Sequence, residues 1–103
     1  MAIKKVYSKS GDLCKVKFTI PRTLGENFDR ISLVGDFNEW DPNANIFTET
    51  DKKGNYILSI ELPAGKEYQF RYLGDGEAWF NEPDADKHIE TYFGDSENSV
   101  III

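Results

Sequence analysis

The sequence contains one cysteine, one histidine and one methionine among 103 residues. Because Cys14 has no partner, no internal disulfide can form, which fits a reducing compartment. Because His88 is the only imidazole, the two-histidine H-E-x-x-H motif cannot form; G-x-S-x-G and the P-loop pattern are also missing, which leaves Cys14 with His88 as the one conceivable Cys–His pair. Alanine is scarce as well, at five residues, against fourteen isoleucines and valines. That ratio argues against a helix bundle or coiled coil. Basic residues are outnumbered 12 to 18, for a net charge of −6. Non-specific nucleic-acid binding needs clustered Lys and Arg, and anionic membranes select for the same charge. Neither partner is expected. Long apolar runs are also lacking: Val100 to Ile103 is far too short to span a bilayer. Lys4 and Lys5 interrupt any apolar leader after Met1, so the expected location is the cytoplasm.

Much of what is present is β-branched, aromatic and turn-forming. Aromatics make up 14% of the chain, with eight Gly and four Pro to supply turns. Cys14, Val16, Phe18 and Ile20 alternate with Lys15, Lys17 and Thr19, the mark of a half-buried strand. Arg30 to Val34 predicts a second strand, closed by Gly35, and the turn-rich stretch to Pro42 follows. A short strand is expected near Ile46 to Glu49. Tyr56, Leu58, Ile60 and Leu62 alternate with Ile57, Ser59 and Glu61. Tyr68, Phe70 and Tyr72 alternate with Gln69, Arg71 and Leu73. Asp75-Gly76 is a hairpin signal, with the returning strand beginning near Trp79. Thr23 to Asp29 reads as a loop, and Asn81 to Glu97 as a long acidic loop with room for one helical turn. Ser99 to Ile103 closes the chain as a last strand. Residues 1 to 10 are expected to fray or to add an edge strand, where Lys4, Lys5 and Lys9 would sit well. The sum is about seven antiparallel strands at sandwich spacing, in one domain over residues 1 to 103.

Few of these residues suggest catalysis. Cys14 reads as a core thiol and His88 as a surface imidazole. The carboxylates do not sit in apolar runs that would raise a pKa, so no paired acid and base is expected. Asp75, Glu77, Glu82, Asp84 and Asp86 lack the calcium-loop pattern and read as a solvated loop. No metal and no cofactor is expected. The aromatic residues carry more. Trp40 lies in a loop rich in Gly, Asn and Asp, and Trp79 follows a turn. Such rings either plug the core or meet a ligand. A sugar ring presents a C–H face that packs on a flat indole, and its hydroxyls then need polar partners. Arg71 and a nearby Asn would supply them. Phe37 reads as a core anchor for its loop, and Asp36 as a hydrogen-bonder of the turn.

The order of motifs resembles a known family. Val34-Gly35-Asp36-Phe37-Asn38-Glu39-Trp40 is followed by Leu62-Pro63-Ala64-Gly65-Lys66-Glu67-Tyr68. Then come Phe70-Arg71-Tyr72-Leu73-Gly74-Asp75-Gly76, Trp79, and Asn98-Ser99-Val100. Together these are similar to the isoamylase N-terminal, or early-set, domain, the family-48 carbohydrate-binding module. That family includes the glycogen-binding domain of the AMP-activated protein kinase β subunit. The resemblance covers roughly Arg30 to Ile103. It implies an immunoglobulin-like β-sandwich that binds α-1,4-glucans such as glycogen, starch or maltodextrin without catalysis. It further implies that Trp40 and Trp79 form a stacking platform and that Arg71 and Asn98 hold hydroxyls. Many family members instead pack against a catalytic domain. The alternative expectation is therefore a scaffold that docks on a glycogen- or starch-active enzyme, or on another protein, without binding sugar.

Overall fold

The computed structural model describes residues 1–91 and 96–103. Two antiparallel sheets pack as a sandwich, so the all-β expectation holds. The first sheet runs β1 (Ala2–Tyr7), β2 (Leu13–Ile20), β5 (Tyr56–Pro63), β4 (Glu49–Thr50). The second runs β3 (Ile31–Gly35), β6 (Glu67–Gly74), β9 (Glu97–Ile102), β8 (Lys87–Glu90), and β7 (Ala78–Phe80) also pairs with β6. That makes nine strands among the described residues, where the sequence suggested about seven. Among the described residues no helix is long and apolar enough to cross a membrane.

The core follows from the period of two in β2 and β6. Cys14, Val16, Phe18 and Ile20 are all fully buried, as are Phe70 and Tyr72 opposite them. Phe18 meets Phe70 edge-on at 5.4 Å between ring centroids and Tyr72 at 6.5 Å. Phe47 and Phe80 close on Tyr72 at 5.9 and 5.3 Å. The edge-to-face pairs among these, Phe18–Phe70, Phe18–Tyr72 and Phe47–Tyr72, add roughly 0.5–1.5 kcal/mol each beyond burial, so the aromatic seam between the sheets stabilises their packing.

Four local expectations need correction. The stretch from Asn81 to Glu97 is not one loop: β8 lies within it and pairs with β9, His88 opposite Ser99 and Ile89 opposite Asn98. All four β8 residues are exposed, so no hydrophobic alternation marks the strand; charged, short edge strands of this sort resist further pairing. No helical turn occurs there among the described residues. Within Thr23 to Asp29 the chain starts out helical, since Arg22–Gly25 forms one α-turn after Pro21, a residue well suited to a helix start. Near Ile46 only an isolated bridge to Ser32 forms, and the strand proper is limited to Glu49 and Thr50.

Of the five acids read as a solvated loop, Asp75, Glu77, Asp84 and Asp86 are exposed as expected, and Glu82 is the correction. Glu82 is fully buried. Its Oε1 accepts the Tyr72 hydroxyl at 2.8 Å, its Oε2 accepts the Asp84 N–H at 3.0 Å, and its own N–H donates to Ser99 Oγ at 2.9 Å. His88, though exposed, sets Nε2 2.9 Å from the Glu82 carbonyl oxygen. Asp75 Oδ1 accepts the N–H groups of Asp29 and Arg30. The bonds to the Glu82 carboxylate offset the cost of taking it out of water.

The first ten residues do form an edge strand over Ala2–Tyr7, but Lys5 does not simply guard it. Its ammonium crosses to the other sheet, 2.7 Å from Asp86 Oδ2 and 2.8 Å from the Ile102 carbonyl. Burial pushes the Asp86 carboxyl up, but the Lys5 hydrogen bond, the Ile102 N–H and the Lys5 charge outweigh it and hold it below its ordinary 3.8. A depressed carboxylate contributes stability above its unfolded value and loses it as pH falls through the folded value. Acid titration below pH 3.8 is therefore expected to loosen β1 in wild type, and Lys5→Met is expected to flatten that part of the stability profile. Hydrogen exchange of the β1 amides, read against pH, checks this.

Candidate carbohydrate-binding site

Cross-strand register decides what meets on the outer face of the second sheet. Tyr68, Phe70 and Tyr72 of β6 point into the core, so Gln69, Arg71 and Leu73 point outward. Val34 of β3 lies opposite Arg71 on one side. On the other side Trp79 of β7 lies opposite Leu73, and Val100 of β9 lies opposite Gln69. Asn98, two residues from Val100, shares that face and accepts Arg71 Nε–H on Oδ1 at 2.6 Å. Ile89 of β8 stands opposite Asn98.

The loop after β3 brings Trp40 over the same face. Gly35 is needed where the loop leaves the strand: a Cβ there would lie 2.5 Å from the Gln69 carbonyl oxygen and 2.7 Å from Phe70 Cβ. Asp36–Asn38 then makes a 3-10 turn. Asn38 Oδ1 accepts Gly35 N–H at 3.0 Å, and its Nδ2 donates to the Leu33 carbonyl and to Asn45 Oδ1 at 2.8 and 2.9 Å. Glu39 and Trp40 both adopt left-handed backbone, φ 57° and 58°. Each such residue costs roughly 1–2 kcal/mol, so a tryptophan is held this way only where its surroundings over-determine it. Here the Trp40 N–H donates to the Gly35 carbonyl at 2.9 Å, and the indole Nε1–H donates to Asp36 Oδ1 at 3.0 Å. Asp36 Oδ2 meanwhile accepts the Gln69 N–H at 2.8 Å. Asp36 is thus a turn hydrogen-bonder as expected, and it also fastens the loop to β6. Phe37 anchors the loop from below, within 6.1–6.5 Å of the Tyr68, Phe70 and Phe18 rings.

The result is an open cleft of about 720 Å³ lined by Trp40, Gln69, Arg71, Trp79, Ile89, Glu90, Thr91, Ser96 and Asn98. Trp40, Trp79, Arg71 and Asn98, the four residues singled out from the sequence, all border it. Trp79 is 48% exposed and Trp40 half-buried, so neither is a core plug. Thr91 and Ser96 meet at the rim, hydroxyl to hydroxyl, at 2.7 Å.

Five lining residues were not anticipated. Gln69 could have been, because it sits two residues before Arg71 on an alternating strand. Ile89, Glu90, Thr91 and Ser96 fell within the stretch read as a loop. Elsewhere, Cys14 is buried in the first sheet, as a core thiol should be. Among the described residues no group of three or more His, Cys, Asp or Glu is placed to hold a metal ion. No protein-family model and no curated protein matches this chain.

Proposed function

We propose that this chain is a non-catalytic α-1,4-glucan-binding module of the family-48 type, acting in the cytoplasm. The observation that carries the reading is the convergence of Trp40, Trp79, Arg71 and Asn98 on one open cleft. Two indoles supply flat apolar faces for the C–H faces of glucose units. The guanidinium of Arg71 and the amide of Asn98 supply hydrogen-bond partners for hydroxyls that lose water on binding. A neutral polysaccharide also suits a protein of net charge −6, since no phosphate attraction is required. A shallow site of this kind should bind at about 0.1–1 mM, or roughly −4 to −5.5 kcal/mol. Native electrophoresis through gels containing amylose or glycogen tests the reading. Retardation relative to a gel without polysaccharide is expected, and unchanged mobility would count against it.

A second reading has its own observation. Trp79 also borders an apolar groove of about 450 Å³ with Met1, Leu24, Phe28, Phe80 and Pro83 among its lining. Aromatic-rich surfaces serve protein interfaces too. In this reading the chain docks on a glycogen- or starch-active enzyme without binding sugar. Specific co-purification with such an enzyme, without retention on amylose, would favour it.

A further inference from the structure

The cleft floor carries a hydrogen-bond chain that runs from one platform ring to the guanidinium. Trp40 Nε1–H donates to Asp36 Oδ1 at 3.0 Å, and Asp36 Oδ2 accepts the Gln69 main-chain N–H at 2.8 Å. Gln69 Oε1 accepts from Asn98 Nδ2 at 3.0 Å, and Asn98 Oδ1 accepts from Arg71 Nε at 2.6 Å. Gln69 is the link common to both halves. Every amide or carboxylate oxygen in the chain already has a donor. What remains is one-sided: the Gln69 Nε2 amine and the Arg71 Nη groups make no hydrogen bond among the described residues, and Arg71 forms no ion pair among them. An amide oriented through its oxygen necessarily turns its N–H donors the other way.

We propose that Gln69 is a ligand-contacting and specificity-determining residue of this cleft, presenting Nε2 donors to the ligand while its Oε1 holds Asn98 in the orientation that Arg71 requires. The proposal rests on the glucan-binding reading and adds a polarity to it. The floor offers N–H donors, so the sugar edge that reaches it must do so through oxygen lone pairs. Hydroxyl protons of the ligand are left to the rim, where Glu90 can accept them. The shape of the platform would be satisfied by many rings, whereas the donor-only floor is left unpaired by any ring that brings no oxygen to it.

The test uses calorimetric titration of the full chain with maltoheptaose, alongside melting temperatures and ¹H–¹⁵N spectra of the Arg71 side chain. Gln69→Glu keeps an oxygen for Asn98 but replaces the outward amide NH₂ by the second carboxylate oxygen. It is expected to weaken binding about 20-fold with an unchanged fold, because the ligand oxygen loses its N–H donor and the new carboxylate must be desolvated when sugar covers it. Gln69→Met keeps length and removes both roles. It is expected to weaken binding about 5–10-fold and to shift the Arg71 Nε–H resonance in the free protein, a signature of the released Asn98 amide. If wild type binds and Gln69→Glu binds within twofold of it, this proposal falls while the glucan reading stands. An unmoved Arg71 resonance in Gln69→Met also overturns it. If wild type does not bind, both fall.

Discussion

Replacing Trp79 by alanine is expected to weaken maltoheptaose binding about 30-fold while leaving the fold intact. The magnitude follows from area. A glucose face covering one indole removes roughly 80 Å² of apolar surface from water, worth about 2 kcal/mol at 25 cal/mol per Å². The fold should hold because Trp79 is 48% exposed and stands on the outer face of a three-residue strand. Trp40→Ala is expected to lose binding to a similar degree with a somewhat larger structural effect. It forfeits the Nε1–H bond to Asp36, for about 1 kcal/mol of destabilisation, while the left-handed backbone at φ 58° is already strained with Trp in place. Titration calorimetry with circular dichroism at matched concentration separates the two effects. Unfolding of Trp79→Ala would make that ring a structural element. Undiminished binding would remove it from the platform.

The largest effect on stability is expected away from the cleft, at Tyr72→Phe. The substitution keeps the ring in its contacts with Phe18, Phe47, Phe70 and Phe80 and removes only the hydroxyl. That hydroxyl is the donor to Oε1 of the fully buried Glu82. Leaving a buried carboxylate short of a donor costs about 3 kcal/mol, which for a domain of this size is a fall in melting temperature on the order of 15 °C. Replacing both partners, Tyr72→Phe with Glu82→Leu, is expected to recover much of the loss, since no unpaired charge then remains. Urea unfolding of the single and double variants checks this; a single variant within about 0.5 kcal/mol of wild type would contradict it. The alkaline limb carries a second sign. Burial first, and then the Glu82 charge and hydrogen bond and the Asp84 charge, push the Tyr72 hydroxyl well above its ordinary 10.0. Its contribution is present below pH 10 and is lost as pH rises from there toward the folded value, a limb Tyr72→Phe should lack.

The sandwich was legible because β2, β5 and β6 alternate cleanly and a period of two leaves no choice of face. The site was legible in part for the same reason: Arg71 on an alternating strand, and Trp40 and Trp79 beside turns, have only one face to share once β6 is placed. Less legible was everything that depends on side chains reaching across the sandwich. Glu82 is an acid in an acidic stretch, and its burial follows from Tyr72 ten residues earlier and Ser99 seventeen residues later. Lys5 resembles an edge guard until Asp86 is seen beside it. β8 escaped because an exposed, charged edge strand carries no hydrophobic period. With it went Glu90, Thr91 and Ser96. Residues 92–95 of the stretch read as an acidic loop lie outside the described residues.

The glucan-binding proposal requires two tryptophans of one open cleft to meet the sugar. Its most direct test is the intrinsic fluorescence of wild type titrated with maltoheptaose, with cellohexaose as the control. Because Trp40 and Trp79 are the only two tryptophans, the whole indole signal comes from the cleft. Saturable quenching with a Kd of about 0.1–1 mM is expected for maltoheptaose, with a much weaker response to the β-linked chain. A signal that stays flat through several millimolar maltoheptaose would contradict it.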